Sequence, residues 1–111
     1  MKPLTWCGDT LGRIRDFPKE ARRKVGHQLN RVQHGRDPED WKPMPTVGLG
    51  VREIRSHEEG EYRVLYLAKF AEAVYVLHAF AKKTRKTPKL DLKLAGARFH
   101  AVIEERTRQQ R

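Results

Sequence analysis

Apolar residues in the first third of the chain recur at helical intervals, and those of the middle third crowd into short, strand-like runs. After Asp9 and Thr10, both suited to starting a helix, Leu11, Ile14 and Phe17 stand three residues apart. Pro18 restarts the pattern. Ala21, Val25, Leu29 and Val32 then follow at intervals of four, four and three until Gly35 ends the run. This spacing predicts a helical hairpin with Arg22, Arg23, Lys24 and Arg31 on its outer surface. Ahead of it, Pro3 to Trp6 reads as an edge strand. The segment Arg36 to Gly50 holds three of the six prolines and two glycines, which predicts an ordered loop.

Three segments rich in Val, Ile, Leu and Tyr come next: Gly50 to Ser56, Glu61 to Ala68 and Ala73 to Phe80. The breaks between them are of hairpin length, so an antiparallel meander is the economical arrangement. Along its middle strand Tyr62, Val64 and Tyr66 share one face, and Arg63, Leu65 and Leu67 the other. Along its last strand Tyr75, Leu77, Ala79, Ala81 and Lys83 are expected to alternate with Val74, Val76, His78, Phe80 and Lys82. A final helix is expected from Thr87 as N-cap and Pro88 as first helical residue, its apolar stripe running through Leu90, Leu94, Ala97, Ala101 and Ile103 before a polar RTRQQR end that frays. The expected fold is a single α+β domain over residues 1–111. In it three helices cover one sheet face, and the other face is left as a shallow concave surface.

Composition changes the picture through charge. The 111 residues carry 24 Lys and Arg against 14 Asp and Glu, a formal net charge of +10. Residues 1–35 contribute +5, residues 36–62 contribute −3 and residues 63–111 contribute +8. A cationic surface of this size attracts polyanions, or an acidic protein segment that blocks them. No apolar run approaches the ~20 residues that span a bilayer, so no membrane association is expected. The lone Cys7 has no internal disulfide partner, and the N-terminus lacks a signal-peptide apolar run. A reducing, cytoplasmic location is expected.

The densest chemical feature is Lys82 to Lys89, KKTRKTPK, in which five of eight residues are basic. Its threonine hydroxyls and the free amides of the helix that follows favour phosphate. Arg52, Arg55 and Arg63 on neighbouring strands are expected to point into the same concavity. Phosphate-binding loops, GxGxxG, HExxH and CxxC are absent, and the five histidines are dispersed, so no metal or cofactor is expected. Of the histidines only His78 falls on a predicted strand, where a packed ring and a general acid or base are both open roles. Trp6, Trp41 and the tyrosines offer stacking surface for bases or, more commonly, core. Cys7 is expected as a small, buried hydrophobe.

The run VREIR, followed by GEYRVLYLAKFAEAVYVLHAFAKKTRKTP and a terminal amphipathic helix, resembles the RelE/ParE/HigB superfamily of type II toxins, and within it the phage-derived addiction-module killer branch. FPKEARRKVGHQLNRVQHG and KPM upstream extend the likeness over nearly the whole chain. The resemblance implies a RelE-like fold: an N-terminal strand and helical hairpin packed on a small antiparallel sheet, then a C-terminal helix. It implies a toxin held by a cognate antitoxin, often of the helix-turn-helix type, with operator DNA contacted only through that antitoxin. In many members it also implies cleavage of mRNA on the ribosome.

By position, Arg63 matches a strand arginine of RelE-like nucleases, and Lys83 with Lys82 matches their basic residue after the last strand. Arg52 and Arg55 are looser matches. Arg63, Lys82, Lys83 and His78 are therefore the candidate catalytic residues, and Arg52, Arg55, Arg85 and Lys86 the candidate RNA contacts. The tyrosine or histidine that such nucleases place near the chain end has no counterpart here, which turns attention to Glu53 or a perturbed Lys82 as base. A ParE-like gyrase inhibitor and a non-catalytic RNA-binding module remain open alternatives.

Overall fold

The computed structural model describes residues 1–110. The elements, in chain order, are β1 (Leu4–Trp6), α1 (Thr10–Arg15), α2 (Lys19–Gln33), β2 (Trp41–Pro43), β3 (Val51–Ser56), β4 (Tyr62–Leu67), β5 (Val74–Ala81) and α3 (Lys89–Gln109). Five strands form one sheet in the order β1-β5-β4-β3-β2. The meander β3–β4–β5 is antiparallel, as its short breaks require, while β1 joins the edge of β5 in parallel and makes the sheet mixed. Strand β2 lies in the segment expected to be loop. It pairs with β3 at the opposite edge, with Pro43 at its last position, where a missing N–H costs nothing on an outer strand.

The α2 stripe is buried as its spacing predicts: Ala21, Val25, Leu29 and Val32 pack with Ile54, Val64, Tyr66, Val74, Val76 and Ala79. Gln28 is buried with them, and its amide donates to Glu39 Oε1 (2.7 Å) while its carbonyl accepts from the Glu39 backbone N–H (2.6 Å). That exchange fastens the chain leaving α2 to the helix itself.

The other sheet face is not left open. Helix α3 packs on it, and Ala95 and Val102 join Val51, Leu65, Leu67, Leu77 and Phe80 in a second core, with Leu92 and Phe99 partly buried alongside. The stripe expected on α3 was therefore rotated. Leu90, Ala97 and Ala101 are exposed, because the face that meets the sheet includes the polar residues Asp91, Arg98 and Arg106, which a hydrophobic count passes over. Helix α3 begins at Lys89 with Pro88 as N-cap, one residue later than expected. It also continues through Gln109 rather than fraying at Arg106. There Arg106 donates to Glu72 (2.6 Å) and lies 3.5 Å over the Phe70 ring.

The alternation expected along β5 is broken at its centre. Leu65 lies opposite His78 but Tyr66 opposite Val76, so Leu77 is an extra residue. Leu77 joins the α3-side core while Ala79 joins the α2-side core, and the ring of His78 bonds to α3.

Gly48 lies against this second core. A β-carbon there would stand 2.6 Å from the Phe99 ring, which α3 holds in place. Gly48→Ala is expected to destabilise the fold by about 1–3 kcal/mol through forced displacement of the ring. Urea titration checks this, and an unchanged midpoint would show that Phe99 is free to move.

Candidate functional site

Strand pairing brings one set of charged side chains to the same sheet face. Lys42 on β2 pairs with Glu53 on β3, Arg55 on β3 pairs with Arg63 on β4, and Arg63 pairs with Phe80 on β5, two residues before Lys82. These residues continue the row that Val51, Leu65 and Leu67 occupy beneath α3. The sheet face is thus divided between an apolar half under the helix and a charged half beside it.

Glu53 is the centre of the charged half. It has no exposed surface and neither carboxylate oxygen makes a hydrogen bond, yet Oε1 has Arg55 Nε at 3.7 Å, Arg63 Nε at 3.7 Å and Lys42 Nζ at 3.9 Å. A buried, ionised carboxylate needs close cations to persist, and here three supply the compensation. Arg63 is the floor. Its Nη2 donates to Glu61 Oε1 (2.9 Å), its Nη1 donates to the Tyr62 carbonyl (3.0 Å), and only 5% of its side chain is exposed. Lys42 and Arg55 form the rim, with 41% and 33% of their side chains exposed.

Lys82 completes the rim. Its backbone N–H continues the β4–β5 ladder by donating to the Glu61 carbonyl (2.7 Å), so the lysine leaves from a fixed point. Burial holds its ammonium below the ordinary lysine value, and Arg63, Lys42 and Arg55 push in the same direction against Glu53. A lysine so placed is more easily deprotonated than one in water. Beside this cluster, His57 is set between Glu61 and Asp40, each at 2.7 Å, and these hydrogen bonds raise its pKa.

The other candidates lie elsewhere. Arg52, expected to share the concavity with Arg55 and Arg63, belongs to the α2 side of the sheet; its guanidinium pairs with Asp37 (2.7 Å) and covers the Trp41 ring at 4.2 Å. Residues 52 and 55 have opposite parity on a regular strand, which separates them. Lys83, Arg85 and Lys86 are exposed on the connection from β5 to α3. His78 is fully buried beneath α3: Arg98 Nη1 donates to its Nδ1 (2.9 Å), and Nε2 faces Asp91 Oδ1 at 2.7 Å. Because arginine can only donate, Nδ1 is the acceptor and Nε2 carries the proton. Cys7 is half-buried at the edge of the second core, and burial pushes its thiol up.

Lys42 was not among the sequence candidates, since it lies in the segment expected to be loop. The signal available for Glu53 was an acid flanked by two arginines inside a strand of VREIR.

An α+β domain with a mixed five-stranded sheet, a covering C-terminal helix and a fixed cationic cluster on one sheet face is compatible with the RelE-like fold. The family described as phage derived protein Gp49-like (DUF891) matches residues 13–100, and the chain belongs to this toxin–antitoxin-related family. No curated protein matches the chain. Among the described residues no helix is long and apolar enough to cross a membrane.

Proposed function

We propose that the chain is the toxin of a type II toxin–antitoxin system, acting in the cytoplasm as a ribosome-dependent, metal-independent endonuclease of mRNA. The observation that carries this reading is the cluster of Lys42, Arg55, Arg63 and Lys82 around the buried Glu53 carboxylate. Family membership supports the toxin assignment, and the cationic cluster supports the chemistry.

In such a cleavage the 2′-oxygen of a ribose bonds to the adjacent phosphorus, and the bond from phosphorus to the 5′-oxygen breaks. One proton must leave the 2′-hydroxyl and one must reach the departing oxygen, and extra negative charge collects on the phosphorane between. Arg55 and the rim lysines meet that charge from fixed positions. Lys82 is the proton-transfer group on this reading, because its ammonium is already destabilised and it stands two residues beyond Phe80, the partner of Arg63 across the ladder. Glu53 has no exposed atom for a substrate to touch, so it positions Arg55 and Arg63 rather than acting as base. Arg85 and Lys86 supply looser phosphate contacts, and Lys83 extends the same cationic approach. The partner on this reading is a helix-turn-helix antitoxin, through which alone the toxin meets operator DNA.

Purified protein added to translating ribosomes is expected to cut the transcript and leave 5′-hydroxyl and 2′,3′-cyclic phosphate ends, mapped by primer extension and end-labelling. Intact transcripts together with blocked DNA supercoiling would move the assignment to a ParE-like gyrase inhibitor. Intact transcripts with tight RNA binding would leave a binding module.

A further inference from the structure

The opposite face of the sheet holds a second cationic site that the cleavage reading leaves unused. Between the end of α2 and strands β3 and β4 lies a cavity of about 320 Å³, at the small end of the range for ligand sites. Lys2, Arg36, Arg52 and Lys69 line it, with Asp37 as the one carboxylate. Tyr66 forms part of its wall. The tyrosine is 1% exposed, and its hydroxyl has no acceptor among the described residues, although buried hydroxyls almost always find one. Burial pushes the phenol up, opposed by the Arg52 guanidinium, which can only donate toward the hydroxyl and so leaves its proton without an acceptor.

Two of the cations are tethered by backbone carbonyls rather than by acids. Lys2 donates to Ala68, and Lys69 donates to Leu49 at 2.9 Å. Their charge is therefore held in place without being cancelled. Arg36 has no acidic partner among the described residues. Arg52 has one, Asp37 Oδ1 at 2.7 Å, from a side chain that is 64% exposed. An oxyanion thus already rests on Arg52 at the cavity wall, supplied by an exposed side chain from the loop after α2. A phosphate carries more charge and more acceptor oxygens than that carboxylate, and its competition for Arg52 is aided by Lys2, Arg36 and Lys69.

We propose that this cavity is a phosphate-binding site for a nucleotide, in which the phosphate displaces Asp37 from Arg52 and gives the Tyr66 hydroxyl the acceptor it lacks. The phosphate is that of a free mononucleotide or of an RNA strand; the two share this chemistry. The site lies on the α2 side of the sheet, whereas Glu53, Arg55 and Arg63 lie on the α3 side, so it stands or falls separately from the cleavage reading.

Calorimetric titration of the purified chain with inorganic phosphate, adenosine 5′-monophosphate and a uridine tetranucleotide tests the site. Tyr66→Phe keeps the ring that packs in the core and removes only the hydroxyl, and Arg36→Ala removes an exposed cation. Each is expected to weaken binding about tenfold, while Asp37→Asn tightens it several-fold by removing the competing carboxylate. Arg23→Ala deletes an equal charge from α2 outside the cavity and is expected to change nothing. Mononucleotide binding that depends on Tyr66 identifies a free nucleotide as sufficient. Tyr66-dependent binding of the tetranucleotide alone identifies a strand phosphate. No binding by any probe, or equal affinity in the parent, Tyr66→Phe and Arg36→Ala proteins, would overturn the proposal.

Discussion

Lys82→Ala is expected to lower the rate of RNA cleavage by roughly 100-fold or more, the scale of losing one fixed charged group from a transition state, with little change in melting temperature. The stability expectation follows from geometry. The Lys82 side chain makes no hydrogen bond or ion pair among the described residues, and its structural tie is the backbone N–H, which alanine keeps. Arg63→Ala is expected to lose activity on a similar scale but for a mixed reason. It removes one of three cations compensating the buried Glu53 carboxylate, so the fold weakens by about 2–3 kcal/mol as well, less than for a carboxylate left with no cation at all. The pair of variants separates chemistry from stability. The pH profile adds a sign. If deprotonated Lys82 takes the 2′-hydroxyl proton, the parental rate rises with pH and levels off once pH exceeds the depressed ammonium pKa, below the ordinary value of 10.5. Lys82→Ala is expected to lose that rising limb. Single-turnover rates between pH 6 and 10 provide the measurement, and a folded Lys82→Ala protein cutting at the parental rate with the same profile would remove Lys82 from the chemistry.

Apart from β2, which lies in the segment expected to be loop, the elements of the domain were legible because burial against the sheet leaves a strong periodic imprint. The α2 stripe needed nothing beyond spacing, and the alternation in EYRVLYLA assigned Tyr62, Val64 and Tyr66 to one face and Arg63, Leu65 and Leu67 to the other, as found. The position of α3 was not legible, because its inward face mixes the apolar Leu92, Ala95, Phe99 and Val102 with polar residues. Asp91, Arg98 and Arg106 are satisfied by His78, the Leu77 carbonyl and Glu72, while Leu90 stands in water. No count of apolar residues contains partners on another element. The same limit applies to the bulge at Leu77, which a regular period of two cannot anticipate. Arg52 is different: its separation from Arg55 followed from parity on a regular strand. The gathering of Lys42, Glu53, Arg55, Arg63 and Lys82 from β2, β3, β4 and the end of β5 depended on strand order, and sequence alone does not place β2 beside β3.

Arg98→Ala is expected to lower the melting temperature by about 10 °C near pH 8. Arg98 reaches across from the helix with three bonds: to the Leu77 carbonyl (3.1 Å), to His78 Nδ1 (2.9 Å) and to Asp9 Oδ1 (2.6 Å). It passes so close to Gly8 that a β-carbon there would stand 2.5 Å from Arg98 Nε, and Gly8 has a φ of +58°, which glycine adopts without strain. Asp9 is largely exposed, so its ion pair contributes little. Most of the loss comes from His78, fully buried, whose Nδ1 would be left without a donor. A stranded buried acceptor and the lost carbonyl bond together cost about 2–3 kcal/mol, and for a domain of this size each kcal/mol corresponds to about 4 °C. The pH dependence distinguishes this account from simple loss of packing. Burial holds His78 below its ordinary value of 6.5, opposed by Asp91 and aided by Arg13 and Arg98. The unfolded chain therefore binds the proton first as pH falls. The stability that neutral His78 contributes is complete above about pH 6.5 and declines as pH drops through the lower folded value. Without Arg98, protonated His78 keeps Asp91 as partner and loses a repelling neighbour, so the variant suffers less from acid. The gap between parent and Arg98→Ala is expected to be widest near pH 8 and to narrow toward pH 5, measured by calorimetry with heating at each pH. A gap constant across that interval would mean that the Arg98–His78 bond contributes nothing and that the loss comes from the other contacts of Arg98.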